Sequence, residues 1–283
     1  MNKLLFLALA MSCAASRAET PAANAMPDGS RDMYAGLGVL SAPRYDGTGS
    51  RKVSALPTIQ VEWSNGIFVS GMGAGMHLSA SPTLEYGPLL SVLPRRSESG
   101  TATAADGVGT IQGFVPSANL NVRKIPADRL TGMDDIPTRV LGGVFLNYYL
   151  DPQWRLTSSL LYGSGRDRNG ARLELGVQRL AATLGDRHRV SLGAGLTAVN
   201  RSDNQTYFGV TGTEALRSRF TYYQPGGGLQ DVHADLRWNW VWTPSWMLTT
   251  HLEAKRLLGS ASHSPLAERP SNLTVSTAIA YRF

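Results

Sequence analysis

The sequence predicts an all-β protein: a transmembrane antiparallel β-barrel of about twelve strands, following a cleaved signal peptide. Three observations lead there. The composition is apolar yet holds no long apolar run, the chain opens on a secretory leader, and the remainder alternates apolar and polar residues with a period of two. Of 283 residues 42% are hydrophobic, 17% are charged and 30 are Gly, while charge makes up roughly 25% of an ordinary soluble domain. Mean hydropathy is nonetheless −0.14, and the longest apolar run, Leu4 to Met11, is eight residues. A membrane-spanning helix needs about 20, which excludes a helical bundle. Apolar residues spread along the whole chain exclude disorder.

The leader comes first. Met1-Asn2-Lys3 is a short basic start, Leu4 to Met11 the apolar stretch, and Ser16-Arg17-Ala18 a small-residue cleavage site. Cleavage after Ala18 is preferred, with Ala23-Asn24-Ala25 as the alternative. The expected organisation is therefore a signal peptide over 1–18, a periplasmic segment over 19–32 and the barrel over 33–283. Cys13 follows Ala10-Met11-Ser12, a poor match to a lipoprotein acceptor, and leaves with the leader. The mature chain then has no disulfide and no thiol chemistry. Loss of Lys3 and Arg17 leaves 25 basic residues against 21 acidic ones, scattered, which gives no footprint for nucleic acid.

Strands are predicted at 33–41, 53–63, 67–78, 83–94, 138–150, 153–163, 170–183, 188–200, 229–242, 246–258 and 272–283. The clearest alternation precedes Pro244. There Val232, Ala234, Leu236, Trp238, Trp240 and Trp242 share one face, against Asp231, His233, Asp235, Arg237 and Asn239. A soluble sandwich would have to bury such Trp ranks in one core. A membrane barrel turns them to lipid and its interface instead, and lines its interior with the polar face. Eleven strands break the even count of bacterial barrels, so one more is needed. The candidates are 111–123 and 204–211. The first is preferred, because it places the tight connections Trp63 to Gly66, Asp151-Pro152, Leu184 to Asp186 and Thr243 to Ser245 on one side.

Several motifs resemble the MipA/OmpV family of outer-membrane proteins. Pro43-Arg44-Tyr45-Asp46-Gly47-Thr48-Gly49 is similar to its Pro-x-Tyr-x-Gly-Ser/Thr element, and a short Pro-containing second strand, Ser54 to Val61, comes next. Further elements are Gly66 to Gly71, Tyr207-Phe208-Gly209-Val210-Thr211, Pro225 to Gly228, Thr243-Pro244, Arg256 to Gly259, Ser264-Pro265 and Tyr281-Arg282-Phe283. The likeness runs from about 33 to 283. It departs over 95–137, where Arg95-Arg96, a Ser/Thr/Ala-rich stretch and Met133-Asp134-Asp135 stand in place of an acidic stretch. The resemblance implies a location in the Gram-negative outer membrane, with lipid, lipopolysaccharide and the barrel assembly machinery as partners. Tyr281 and Phe283 match the C-terminal assembly signal. It also implies a scaffold role toward a lytic transglycosylase and a penicillin-binding protein. Adhesion, osmotic response and antibiotic entry or sensing are roles linked to other members.

For chemistry, the polar face of the 229–258 hairpin is the candidate constellation. Asp231, His233, Asp235, Arg237, His251, Glu253 and Lys255 are expected to form a charged wall of the lumen, either as a salt-bridge network or as a selectivity element. Nothing in the spacing of His233, His251 and Asp235 selects a metal, and no Ser/His/acid set emerges. No cofactor is expected. Gly71, Gly73 and Gly75 read as room for a bulky neighbour or a bend, and Pro43 to Gly49 as a shaped external turn. The expected function is a non-enzymatic scaffold or interaction protein for peptidoglycan enzymes. The alternative is a narrow channel, or an uptake or sensing protein for small molecules, with a charged lumen.

Overall fold

The structure, a computed structural model, describes residues 31–78, 81, 83–102, 129–184 and 187–282. The expected leader, Cys13, Phe283 and the candidate strand 111–123 lie outside the described residues. The first half of the chain forms β1 (Arg31–Pro43), β2 (Arg51–Trp63), β3 (Ile67–Ser70), β4 (Gly73–Met76) and β5 (Leu84–Leu93). A small separate hairpin comes next, β6 (Arg96–Ser97) and β7 (Gly100–Thr101). The second half forms β8 (Arg139–Tyr149), β9 (Trp154–Ser164), β10 (Gly170–Leu184), β11 (His188–Val199), β12 (Gly228–Thr243), β13 (Trp246–Leu257) and β14 (Ser271–Arg282). All but β6 and β7 form one closed antiparallel barrel of twelve strands. Neighbours in sequence pair throughout, β5 pairs β8 directly, and β1 closes the ring on β14 from Tyr34↔Arg282 to Ser41↔Val275.

The even count is reached by a route that alternation alone does not reveal. The expected single strand 67–78 is a hairpin, β3 and β4, reversing at Gly71-Met72. Gly71 has φ +56° and donates its N–H to the Ile59 carbonyl at 2.9 Å. A positive φ in a two-residue turn is what a tight hairpin demands. Gly75 stands opposite Phe68, and a Cβ there would meet the Phe68 ring. The expectation of room for a bulky neighbour therefore holds at Gly75, but on the return strand. The rival candidate 204–211 is corrected too: residues 201–208 are helix α1 (Arg201–Phe208). Its N-cap, Asn200, accepts the Asp203 N–H at 3.1 Å, and such capping competes with the extended backbone.

The tight connections after β2, β8, β10 and β12 lie on one rim, together with the start of β1 and the end of β14. The other rim carries the long connections 44–50, 94–138, 200–227 and 258–270, and the five-residue connection 165–169. That polarity makes the first rim periplasmic. Apolar side chains stand exposed around the outside: Leu37 is 72% exposed, Val53 68%, Val140 64% and Val144 55%. Such a belt meets hydrocarbon, not water. At its periplasmic edge His188 stacks on Trp238 and Trp240, with ring centroids 5.7 and 5.8 Å away, and Trp246 meets Tyr281 edge-on at 5.0 Å. Tyr281 thus belongs to the aromatic girdle. Among the described residues no helix is long and apolar enough to cross a membrane.

If this belt faces lipid, Val144→Arg should destabilise the folded barrel by about 2–4 kcal/mol at mid-membrane depth. Urea titration in lipid vesicles measures it. An unchanged midpoint would place Val144 away from hydrocarbon.

Candidate functional site: a capped luminal cavity

The inward face of the β12–β13 hairpin is built in rungs. His233 pairs Lys255, Asp235 pairs Glu253 and Arg237 pairs His251 across the strands. Each rung therefore carries groups of one kind, basic, acidic, then basic. Like charges directly opposite repel, but opposite charges come two residues further along each strand. Lys255 Nζ lies 3.7 Å from Glu253 and 3.6 Å from Asp46 of the first external loop. Asp231 sits above the rungs, buried, accepting from Thr197 Oγ1 at 3.1 Å and paired with His233 Nδ1 at 3.1 Å. The facing strand, β11, has Gly193 and Gly195 beside this wall. A Cβ on either would collide with Asp235 or His233, so the bare strand is what lets those side chains lie across it.

The structure thus brings the seven predicted residues onto one wall, six of them around a cavity of about 300 Å³. The opposite wall is apolar: Leu89 and Leu93 from β5 and Phe145 from β8. Arg172 and Glu174 of β10 also line it, and the period-two pattern of Arg172, Glu174 and Gln178 could have found them. Arg96, Tyr207 and Phe208 line it from the external connections, where no alternation marks them as inward-facing.

Those loops form a cap. Tyr45, Leu130, Met133, Val210, Phe220 and Leu266 bury a shared apolar cluster drawn from four connections. Tyr45 is therefore core of the cap rather than a free contact of the first loop. Below it, α1 enters the mouth with a polar underside. Asp203 is fully buried and accepts from Ser164 Oγ at 2.6 Å, Gln230 Nε2 at 3.2 Å and Arg172 Nη2 at 3.4 Å. Gln230 reaches it because a bulge in β12, between Leu229 and Asp231, leaves one residue unpaired with β11. Helix α2 (Gly212–Arg217) starts on a capping box of Thr211 and Glu214. Arg96 is 5% exposed and donates to the Tyr207 carbonyl at 2.5 Å. Burial pushes the Tyr207 hydroxyl up to about 12, reinforced by Asp203 and opposed by Arg172 and Arg96.

At the periplasmic end a second network runs along one wall, over the neighbouring strands β5 and β8. His77 Nδ1 lies 2.7 Å from Glu85, which also accepts from Asn147 Nδ2 at 2.8 Å and Tyr149 Oη at 3.1 Å. Among the described residues no group of three His, Cys, Asp or Glu side chains is placed to hold a metal ion.

Three carboxylates fasten the cap. Burial raises the Glu214 pKa, but hydrogen bonds from the Thr211 N–H and hydroxyl and from the Asp134 N–H outweigh it, aided by Arg166 at 2.7 Å. The net effect holds Glu214 below the usual carboxylate range. Asp134 is held low by Arg217 at 2.6 Å and Arg166 at 2.9 Å. Glu268 is held low first by the Gly49 N–H at 2.7 Å, then by the Thr48 hydroxyl and Arg129. A depressed folded pKa stabilises fully above the unfolded value, about 4, and is lost as pH falls through the folded one. Hydrogen exchange over 129–136 and 210–218, corrected for its intrinsic pH dependence, should show constant protection above about pH 5 and falling protection toward pH 3. Protection unchanged at pH 3 would remove these pairs from the cap's stability.

The fold is similar to those of three solved structures. They are a bacterial polysaccharide outer membrane secretin (10% identity, 91% of this chain and 100% of that one, TM-score 0.48), the NanC porin (9%, 89% and 100%, 0.44) and an outer membrane channel from Pseudomonas putida F1 (10%, 92% and 97%, 0.42). No curated protein matches the chain. The model of a family described as MltA-interacting protein MipA matches residues 35–283, nearly the whole barrel. A closed barrel with a lipid-facing belt, short turns on one rim and this match over its length place the chain in the outer membrane, as a member of the MipA family.

Proposed function

We propose that this barrel is a non-enzymatic interaction protein, holding a lytic transglycosylase, and with it a penicillin-binding protein, at the periplasmic face of the outer membrane. The family's description supports the partner, since it names an interaction with MltA. The observation that carries the reading is the cap. Its buried cluster and ion pairs lie over the external mouth, while four of the five periplasmic connections are tight turns. A barrel capped on its outer side is suited to anchoring and presentation. Three of the five histidines also favour a structural role: His77 is held on Glu85, His188 by Trp238 and His263 on the Gly259 carbonyl.

Purified barrel in detergent should retain a purified MltA-type lytic transglycosylase on a column. Replacing the exposed turn residues Asn65, Pro152 and Gln153 by Asp should weaken retention severalfold while leaving heat-modifiable gel migration intact. Absence of retention by the unaltered barrel would sink the scaffold.

The charged rungs support a second reading, a narrow route or sensor for small solutes. Planar-bilayer recordings test it. Reproducible single-channel steps that change with Arg237→Gln or Glu253→Gln would replace the pure scaffold, and a silent barrel would discard the channel.

A further inference from the structure

At the external edge of the lipid-facing wall, charge on the described strands is confined to one sector. Alternation makes Val92, Val140, Tyr162, Ala171, Ala198 and Leu229 the last outward residues of β5, β8, β9, β10, β11 and β12. The sector from β13 through β14 and β1 to β2 carries two arginines there. Arg256 stands outward on β13, between Val232 on one neighbouring strand and Ser271 on the other. Its side chain is exposed and makes no hydrogen bond or ion pair among the described residues. Arg51, at the start of β2, lies over the outer face of the β1–β14 seam. Its guanidinium donates to the Ser41 carbonyl at 2.8 Å, the Ser41 hydroxyl at 3.0 Å and the Leu273 carbonyl at 2.6 Å. Leu273 and Ser271 are two residues apart on β14, roughly 7 Å, so the two arginines flank the outer end of one strand. Arg269, also exposed, lies against Gly49 in the connection that leads into β2.

Three neutral oxygens position the Arg51 guanidinium without cancelling its charge. The carboxylates of the adjoining connections are engaged elsewhere: Asp46 with Lys255, and Glu268 with Arg129, Gly49 and Thr48. Glu268 also stands in the field of Arg269, which makes Arg269 the weakest cation of the three. A guanidinium fork matches phosphate bidentately, and one already held in place has less freedom to lose. Arginine on a lipid-facing strand costs least at the interface, where lipid phosphates lie. Toward the membrane centre the same wall presents Val53, Val39 and Leu273, 68%, 55% and 48% exposed. The partner that fits is an amphiphile of the external leaflet with phosphates above and acyl chains below. We propose that this wall binds the phosphorylated end of a lipopolysaccharide molecule. Arg51 and Arg256 meet its phosphates, Arg269 adds to their field, and acyl chains lie along Val53, Val39 and Leu273. The site does not rest on the scaffold reading, since capture of the transglycosylase involves the other edge of the membrane.

Purified lipid A, the phosphorylated and acylated end of lipopolysaccharide, is the probe. Barrel in a non-ionic detergent is titrated with it, and bound lipid is counted by native mass spectrometry. Lipid A should be held about tenfold more tightly than the same lipid stripped of its phosphates. Arg256→Gln removes a side chain that bonds to nothing among the described residues, so the barrel should keep its heat-modifiable migration. It should nevertheless weaken lipid A severalfold and leave the dephosphorylated form unaffected, and Arg51→Gln should add to the loss. Arg179 provides the control, an exposed outward arginine that pairs with Trp154 across β9 and β10 at the periplasmic edge. Arg179→Gln should change neither lipid's affinity. The proposal is overturned if the dephosphorylated lipid binds as well as lipid A, or if Arg256→Gln leaves lipid A binding unchanged. It is overturned equally if phosphatidylglycerol or inorganic phosphate displaces lipid A at matched concentration, or if Arg179→Gln weakens lipid A as much as Arg256→Gln.

Discussion

In hydrocarbon no water is available to backbone N–H and C=O groups, so a sheet that crosses a membrane must pair every strand on both edges. The pairing of β1 with β14 meets that demand and governs the rest of the architecture. Closure fixes one face of each strand outward and one inward, which is why the chain alternates. Closure also explains the short β3–β4 hairpin. A ring of antiparallel strands with both ends on one rim needs an even number, and a tight turn at Gly71-Met72 supplies two strands from a dozen residues. Residues 111–123 are not needed to complete the ring, because β5 and β8 pair from Leu84↔Tyr148 to Leu93↔Arg139.

The inside of such a barrel is under a different constraint from the core of a soluble domain. Its stability does not depend on burying apolar surface, since lipid covers the outer face. The interior can therefore hold charge, provided each group is matched. The β12–β13 rungs achieve this along the strands and through Asp46 from above, and Gly193 and Gly195 provide the space. The same logic reaches into the cap. Helix α1 presents Asp203, Asn204 and Thr206 inward, a polar face that would be out of place in a soluble core. Here it meets the polar mouth of the barrel and completes its hydrogen bonds.

Legibility in the sequence depended on which interactions are periodic. The lipid-facing ranks, the Trp238–Trp242 girdle and the inward set from Asp231 to Lys255 repeat every second residue, and all were readable. The split at Gly71 was not, because Phe68-Val69-Ser70 and Ala74-Gly75-Met76 keep the alternation in step through the reversal. Helices α1 and α2 carried a local signal that the alternation obscured: Asn200-x-x-Asp203 and Thr211-x-x-Glu214 are N-terminal caps. Arg96 and Tyr207 could not have been paired in advance. They are 111 residues apart and meet only because two external connections fold over the same mouth.

Those non-periodic contacts also balance the interior in a different way. Periodicity tends to generate matched charge, since a strand that alternates in sign along its inner face places each group near an opposite one. Groups delivered by loops have no such guarantee, and each must be matched individually. Asp203 is, with three donors around it. Arg96, brought in from a different connection to the same roof, donates to one carbonyl and has its counter-charge, Glu214, on a third element of the cap. The contrast lies within a single cap, so it does not arise from loops being loosely built.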